Sequence, residues 1–251
     1  MLWRTEVRKH LPVFAAVYSA IVLVGVARWV APDVLVLEIV QALCGMLGWT
    51  GSVVYAATIL FRFITLGDDV SLQISSVGRW SSASLKASVL CGLLVLQHLL
   101  GVAVTVDQLR NTAAAAFATA LVYVVVAKTL SIVSFLTLVL LSATSAKVFS
   151  GRGACAAVFV IGLLTAITAQ GLTLWRIGAP TTEHFFIGVG GDAFTVNLYA
   201  NILPLTLTGP AEGFLPIITG TSMVLNLFAV LAFLACWALL IRFRRFNFVA
   251  I

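Results

Sequence analysis

The sequence predicts an all-α fold, a polytopic membrane protein with six transmembrane helices in which residues 1–251 form a single transmembrane domain. The first observation is composition, because the chain is 61% hydrophobic and only 10% charged, whereas an average soluble domain is about 25% charged. The second is the length of the apolar runs. A helix rises about 1.5 Å per residue, so about 20 apolar residues cross a hydrocarbon core of about 30 Å. Both observations argue against a water-soluble fold.

Six apolar runs of sufficient length follow one another, and each predicts one transmembrane helix. They cover approximately residues 11–27, 34–61, 85–106, 113–146, 154–175 and 214–241. The segment 176–213, between the fifth and sixth runs, is interrupted by glycines and prolines, and its apolar part at 193–205 is too short to cross. We expect this outer segment to hold a partly inserted hairpin or a short interfacial helix, since irregular backbone at membrane depth must pack on protein or line a cavity.

The residues before the first run have an amphipathic pattern. Three apolar side chains recur four residues apart and lie opposite three basic ones, Trp3, Val7 and Leu11 against Arg4, Arg8 and Lys9. This spacing predicts a short helix lying on the inner membrane surface. The alternative is a frayed basic terminus.

The orientation follows from the distribution of charge. Basic residues concentrate in cytoplasmic segments of membrane proteins. With both termini in the cytoplasm, 11 of the 15 basic residues lie on the inner side, namely Arg4, Arg8, Lys9, Arg62, Arg79, Lys86, Lys147, Arg152, Arg242, Arg244 and Arg245. Six of the nine acidic residues then lie outside, namely Asp33, Glu38, Asp107, Glu183, Asp192 and Glu212. The count therefore predicts cytoplasmic termini and an even number of spans.

The net charge of +6 does not indicate a nucleic-acid partner, because the basic residues lie in short loops beside apolar runs, as membrane topology favours. The four cysteines fall inside or at the edge of apolar runs and share no metal-ligand spacing. We interpret them as small buried hydrophobic residues. The sequence thus predicts no metal site and no disulfide.

The loop between the second and third runs carries the most informative pattern. Asp68 is suited to an N-cap, with Asp69 in the first helical turn. Val70, Ile74 and Val77 then recur at helical spacing. The pattern predicts a short amphipathic helix on the cytoplasmic face. Its apolar side has no core of its own to fill, so a groove on a partner protein is one place for it to bind.

This loop resembles the connection between the second and third spans of permease subunits of the type-2 ABC exporter family. In that family an aromatic helix end leads to an acidic turn, a short apolar helix, a small polar stretch and a Lys that opens the third span. The matching residues here are Phe61, Phe63, Gly67, Asp68, Asp69, Leu72, Ile74, Val77, Ser81, Ser82 and Lys86. The chain departs from the pattern at 76–79, where many members have a Leu-Pro pair.

The resemblance implies that residues 68–77 form a coupling helix, which docks into a nucleotide-binding subunit and transmits its closure. The coupling residues on this basis are Asp68, Asp69, Val70, Leu72, Ile74 and Val77. The alternative is a solvated turn whose apolar side rests on the membrane surface.

The chain contains no Gly-x-x-x-x-Gly-Lys-Ser/Thr sequence. If it is an ABC permease, it is therefore not itself the enzyme, and ATP and Mg²⁺ bind a separate ATPase subunit. The family layout further implies a second permease chain, identical or homologous, and contact with the lipids of a bacterial plasma membrane. Permeases of this size and layout include transporters that confer resistance to antimicrobial peptides, so an amphipathic or hydrophobic cargo moved outward is the expected substrate.

Lys128 is the one charge predicted near the middle of a span, where ionisable side chains are costly and often functional. Together with Gln97 and Gln170 it could line a translocation path. In the alternative function, a secondary transporter or channel, Lys128, His98 and Gln170 would form a polar site near the middle of the membrane. Two other interpretations remain. Lys128 could extend to the outer headgroups, and the glutamines could form hydrogen bonds between helices.

Overall fold

The computed structural model describes residues 2–31, 34–67, 79–105, 114–149, 151–176, 188–190, 193–197, 206–208 and 220–244. Within these ranges the chain forms six long helices and three short strands. The helices are α1 (Leu2–Val30), α2 (Leu35–Thr65), α3 (Arg79–Thr105), α4 (Ala114–Ala146), α5 (Arg152–Arg176) and α6 (Gly220–Arg244). Each contains a stretch long and apolar enough to cross a membrane, which confirms the six predicted runs.

Helix α1 differs from the prediction at its beginning. The helix is continuous from Leu2 to Val30 and includes Pro12, so the basic segment forms its first turns, and a separate surface helix is wrong for residues 2–11. A proline inside a spanning helix is tolerated when neighbouring groups satisfy the freed backbone. The buried face of these turns includes Glu6, His10 and Phe14, which are spaced four apart and therefore point in one direction.

Helix α4 is the centre of the bundle. It packs against α2, α3, α5 and α6, and 72% of its spanning stretch, Lys128–Ala146, is buried. By contrast, none of the spanning stretch of α5 is buried. With 33 residues, α4 is about 50 Å long, which exceeds a hydrocarbon core of about 30 Å. The apolar core lies where α2, α3 and α4 meet, with Leu60, Leu90 and Val139 among its fully buried residues.

Two glycines are required by local geometry. Gly67 follows the end of α2 with a φ of 67°, a left-handed conformation that terminates helices and that residues with a Cβ rarely adopt. Gly25 brings α1 close to α3, because a Cβ at this position would lie 2.6 Å from Cβ of Val104. Small residues at helix crossings allow such close approach in membranes.

The segment between α5 and α6 contains a small antiparallel sheet. Its strands are β1 (Gly188–Gly190), β2 (Ala193–Asn197) and β3 (Thr206–Thr208), in the order β1-β2-β3. Val189 pairs with Phe194, and Val196 pairs with Leu207. The predicted all-α class therefore holds for the spanning part. Strands occupy part of the segment for which a partly inserted hairpin or an interfacial helix was predicted.

Candidate functional site

Two groups of polar side chains, each with buried members, lie in the described part of the bundle. The first, called the ionic cluster, joins α1, α2 and α3 at the end where α1 begins, and consists of Glu6, Lys9, His10, Tyr55 and Lys86. The second, called the interior polar cluster, lies further along α2, α3 and α4, and consists of Trp49, Ser52, Gln97, His98 and Lys128.

Glu6 is the centre of the ionic cluster. It is 1% exposed and forms a salt bridge and hydrogen bond with the Lys86 ammonium. Lys9 Nζ lies 3.2 Å from Oε2, and His10 Nε2 lies 3.2 Å from Oε1. Buried charges are tolerated when they are paired and hydrogen-bonded in this way. The carboxylate therefore joins α1 to α3 across the core.

His10 extends the cluster to α2. Its Nδ1 lies 2.9 Å from the Tyr55 hydroxyl. Since Nε2 donates to the Glu6 carboxylate, Nδ1 of a neutral ring accepts a hydrogen bond from Tyr55. The two rings also meet edge to face with their centroids 5.8 Å apart, an arrangement that aromatic rings favour. Three helices are thus joined by one connected set of polar contacts.

Two lysines anchor the end of α2, on the side from which residues 68–78 continue. Lys86 Nζ lies 5.2 Å from the centroid of the Phe63 ring, a cation–π contact. Lys147 Nζ donates to the Ile64 carbonyl oxygen at 2.9 Å. A cation at the last carbonyls of a helix is favourable, because those groups lack partners within the helix and carry the negative end of its dipole.

Lys128 belongs to the interior polar cluster. Its side chain is 3% exposed, and its Nζ lies 4.7 Å from the centroid of the Trp49 ring. The Trp49 ring also meets His98 edge to face, with centroids 6.3 Å apart. Lys128 therefore packs inside the bundle against an aromatic ring on α2, and does not extend along a lipid-facing surface as one interpretation of the sequence had it.

Gln97 is the second predicted path residue in this cluster. It is 1% exposed, and among the described residues neither its Nε2 nor its Oε1 has a hydrogen-bond partner. The Ser52 hydroxyl has none either within the same ranges. A buried polar group left without a partner costs about 1–3 kcal/mol. The predicted hydrogen bond between helices is thus not formed by Gln97 among the described groups.

The other predicted site residues have no described side chains. Gln170 lies in α5, but its side chain falls outside the described residues. The coupling residues also lie outside them, namely Asp68, Asp69, Val70, Leu72, Ile74 and Val77. Their assignment stays a prediction, and the described structure bears only on the two helix ends that flank them.

The burial of Glu6 and His10 was not predicted from the sequence. Their spacing of four, continued by Phe14, is the signal that could have shown a core-facing side of α1. The described residues contain no group of three or more His, Cys, Asp or Glu side chains able to hold a metal ion.

Comparisons with models of protein families, with curated proteins and with solved structures each give no match. The resemblance to exporter permeases therefore rests on the sequence pattern around residues 61–86 and on the layout of the spans.

Proposed function

We propose that this chain is the membrane-spanning permease subunit of an ATP-driven exporter of the ABC type. It moves an amphipathic or hydrophobic substrate outward, such as an antimicrobial peptide, a lipid-like molecule or a drug, and a separate ATPase subunit supplies the energy. The observation that carries the proposal is the contact of Lys86 with both Glu6 and Phe63. This contact anchors the two helix ends from which the predicted coupling segment emerges.

A coupling segment needs a rigid base, because a motion imposed on a loose loop would be absorbed before it reached the spans. Here the last turn of α2 is held by Lys147 through the Ile64 carbonyl. The beginning of α3 is held to α1 by Lys86 and Glu6. A displacement of residues 68–78 is therefore passed to α1, α2, α3 and α4 together.

The proposed orientation has the ionic cluster, residues 68–78 and both termini on the cytoplasmic side of a bacterial plasma membrane. This orientation agrees with the basic residues around the ionic cluster, with Lys147 in the α4–α5 turn and with Arg152 at the start of α5. The segment with β1, β2 and β3 then faces outward. A second permease chain, identical or homologous, and two ATPase subunits complete the transporter, and lipids contact its outer surface.

The test is a double substitution, Val70→Asp with Ile74→Asp, in the full chain expressed with its ATPase. Burial of an aliphatic side chain contributes about 1.5–3 kcal/mol, so the double variant should lose co-purification of the ATPase and substrate-dependent ATP turnover, with normal membrane insertion. The matched control is Val148→Asp with Phe149→Asp, two exposed apolar residues in the α4–α5 turn, which should retain the ATPase. Normal co-purification and transport by the first variant would refute the coupling assignment.

The alternative function, a secondary transporter or channel, is favoured by one observation, the burial of Lys128 against Trp49 inside the bundle. Intramembrane cations of this kind often mark substrate or ion pathways. The two functions differ in their energy source. Transport that persists in vesicles without an ATPase or ATP, and that is lost in Lys128→Met, would support the alternative.

A further inference from the structure

We propose that the exposed face of the first turns of α1 binds an anionic phospholipid, with the lipid phosphate held between Arg4 and Arg8. Three observations carry the proposal: two exposed guanidinium groups on one face of the helix, the length of α1, and the apolar surface that continues from the two arginines. The proposal requires only that α1 spans a membrane, so it goes beyond the exporter function and does not depend on it.

The two arginines share one face of α1. Arg4 and Arg8 are both exposed, and residues four apart on a helix have their Cβ atoms about 5–6 Å from each other. Arg8 is two residues from Glu6 and two from His10, both of which are buried. Because successive helical residues point about 100° apart, Arg8 points nearly opposite to these two side chains. The arginine face is therefore the side of α1 turned away from the ionic cluster.

Lys9 shows the contrast on the next residue. Its ammonium lies 3.2 Å from Oε2 of Glu6, so this charge takes part in the ionic cluster. The Arg4 and Arg8 side chains are instead accessible from outside the bundle. Neighbouring basic residues of one helix thus serve two different surroundings, and Lys9 offers a matched control for Arg8.

The length of α1 places the arginines at the depth of lipid headgroups. With 29 residues, the helix is about 43 Å long, which matches a bilayer of about 40–45 Å with its headgroups included. At the far end, Trp29 is 52% exposed, and tryptophan favours the membrane interface. About 20 residues cross the hydrocarbon core, so its other boundary falls near Arg8. Arg4, one turn further out, then lies among the phosphates.

The chemistry of this face matches an anionic phospholipid. A guanidinium can donate two parallel hydrogen bonds to phosphate oxygens, and an anion between Arg4 and Arg8 relieves the repulsion of two like charges four residues apart. Pro12 and Ala16 continue from Arg8 at intervals of four, and both are exposed and apolar. The face therefore changes from basic to apolar where headgroups give way to acyl chains. A soluble partner protein would leave the apolar part uncovered.

The test places a photoreactive amino acid at Pro12 of the full chain, in nanodiscs with equal amounts of phosphatidylglycerol and phosphatidylcholine of identical acyl chains. Mass spectrometry gives the ratio of the two lipid adducts. The same amino acid at Leu164, an exposed residue of α5, gives the reference ratio. We expect phosphatidylglycerol to be enriched about fivefold or more at Pro12 over Leu164. Glycerol phosphate, which has no acyl chains, should not reduce this enrichment.

The variants locate the phosphate. Arg4→Gln with Arg8→Gln should bring the enrichment at Pro12 close to one, and Arg8→Gln alone should reduce it by at least about twofold. Lys9→Gln removes the same charge from the adjacent residue and should reduce it much less. Arg8→Lys should retain most of the enrichment. An equal total yield of adducts from Leu164 in each variant shows that the chain is inserted normally.

Three results would overturn the proposal. They are equal adducts with both lipids at Pro12, an enrichment that persists in the double arginine variant, and an enrichment abolished by glycerol phosphate. In native membranes, an adduct from Pro12 that is mainly a polypeptide would overturn it as well and would assign this face of α1 to a protein interface. The exporter assignment depends on residues 68–78 and is unaffected by these results.

Discussion

The ionic cluster and the interior polar cluster both bury charge inside the bundle, but they differ in how that charge is satisfied. In the first, Glu6 accepts from three side chains within the protein. In the second, Lys128 meets an aromatic face, and the nearby Gln97 amide has no described partner. Groups that satisfy one another hold a structure together, whereas a buried amide without a partner adds no such link. The comparison therefore assigns a structural role to the first cluster and no such role to the Gln97 amide of the second.

The largest expected effect on stability is that of Glu6→Ala. The substitution leaves the Lys86 charge buried without its partner, and breaking a buried pair in this way costs about 3–5 kcal/mol. Thermal unfolding in detergent micelles should show a large loss of stability. The double variant Glu6→Gln with Lys86→Met should lose less than Glu6→Ala, because it leaves no buried charge behind. Lys9→Ala is the control, and its loss should stay under about 1 kcal/mol, since Lys9 is partly exposed. A loss from Glu6→Ala no larger than that from Lys9→Ala would contradict a structural role for the cluster.

A smaller effect is expected at a neutral contact between α4 and α6. Trp237 Nε1 donates to Thr144 Oγ1 at 2.9 Å, and both side chains are buried. Trp237→Phe and Thr144→Val should each reduce stability, and a double-mutant cycle should give a coupling free energy of about 0.5–1.5 kcal/mol. Additive effects of the two substitutions would show that this hydrogen bond does not form in the membrane.

The smallest effect on stability is expected from Gln97→Leu. Because the amide has no described partner, an apolar side chain of similar size removes a desolvated polar group and breaks no described hydrogen bond. The variant should be as stable as the wild type or slightly more stable in the same unfolding assay. A loss of stability comparable to that of Glu6→Ala would show that Gln97 has a structural partner, and the contrast between the two clusters would fail.

The six spans could be predicted from the sequence because hydrophobic run length is a local property, and membrane thickness fixes the length required. The ionic cluster could not be predicted in the same way. Glu6 and Lys86 are 80 residues apart, and only the packing of α1 on α3 brings them together. The continuity of α1 through Pro12 depends on packing in the same way, since a spanning helix tolerates a proline where neighbouring helices support the backbone, and that support is not visible in the sequence.

The two predicted path residues that the structure describes, Lys128 and Gln97, do lie in one region of the bundle. The sequence predicted how far along its helix each residue lies, but it did not predict the direction in which each side chain points. Helices α3 and α4 are apolar on nearly all sides, so periodicity does not distinguish a face toward lipid from a face toward another helix. The ring of Trp49 beneath Lys128 belongs to a third helix and could only be identified from the packing.

The central claim, that a separate ATPase drives this protein through residues 68–78, is tested most directly by site-specific crosslinking in the native membrane. A photoreactive amino acid at Ile74, in the predicted coupling helix, should give an adduct with a polypeptide whose sequence contains a Gly-x-x-x-x-Gly-Lys-Ser/Thr motif. The same amino acid at Glu183, in the proposed outer segment, should give none. Repeated absence of such an adduct from position 74, or its appearance from position 183, would contradict the account.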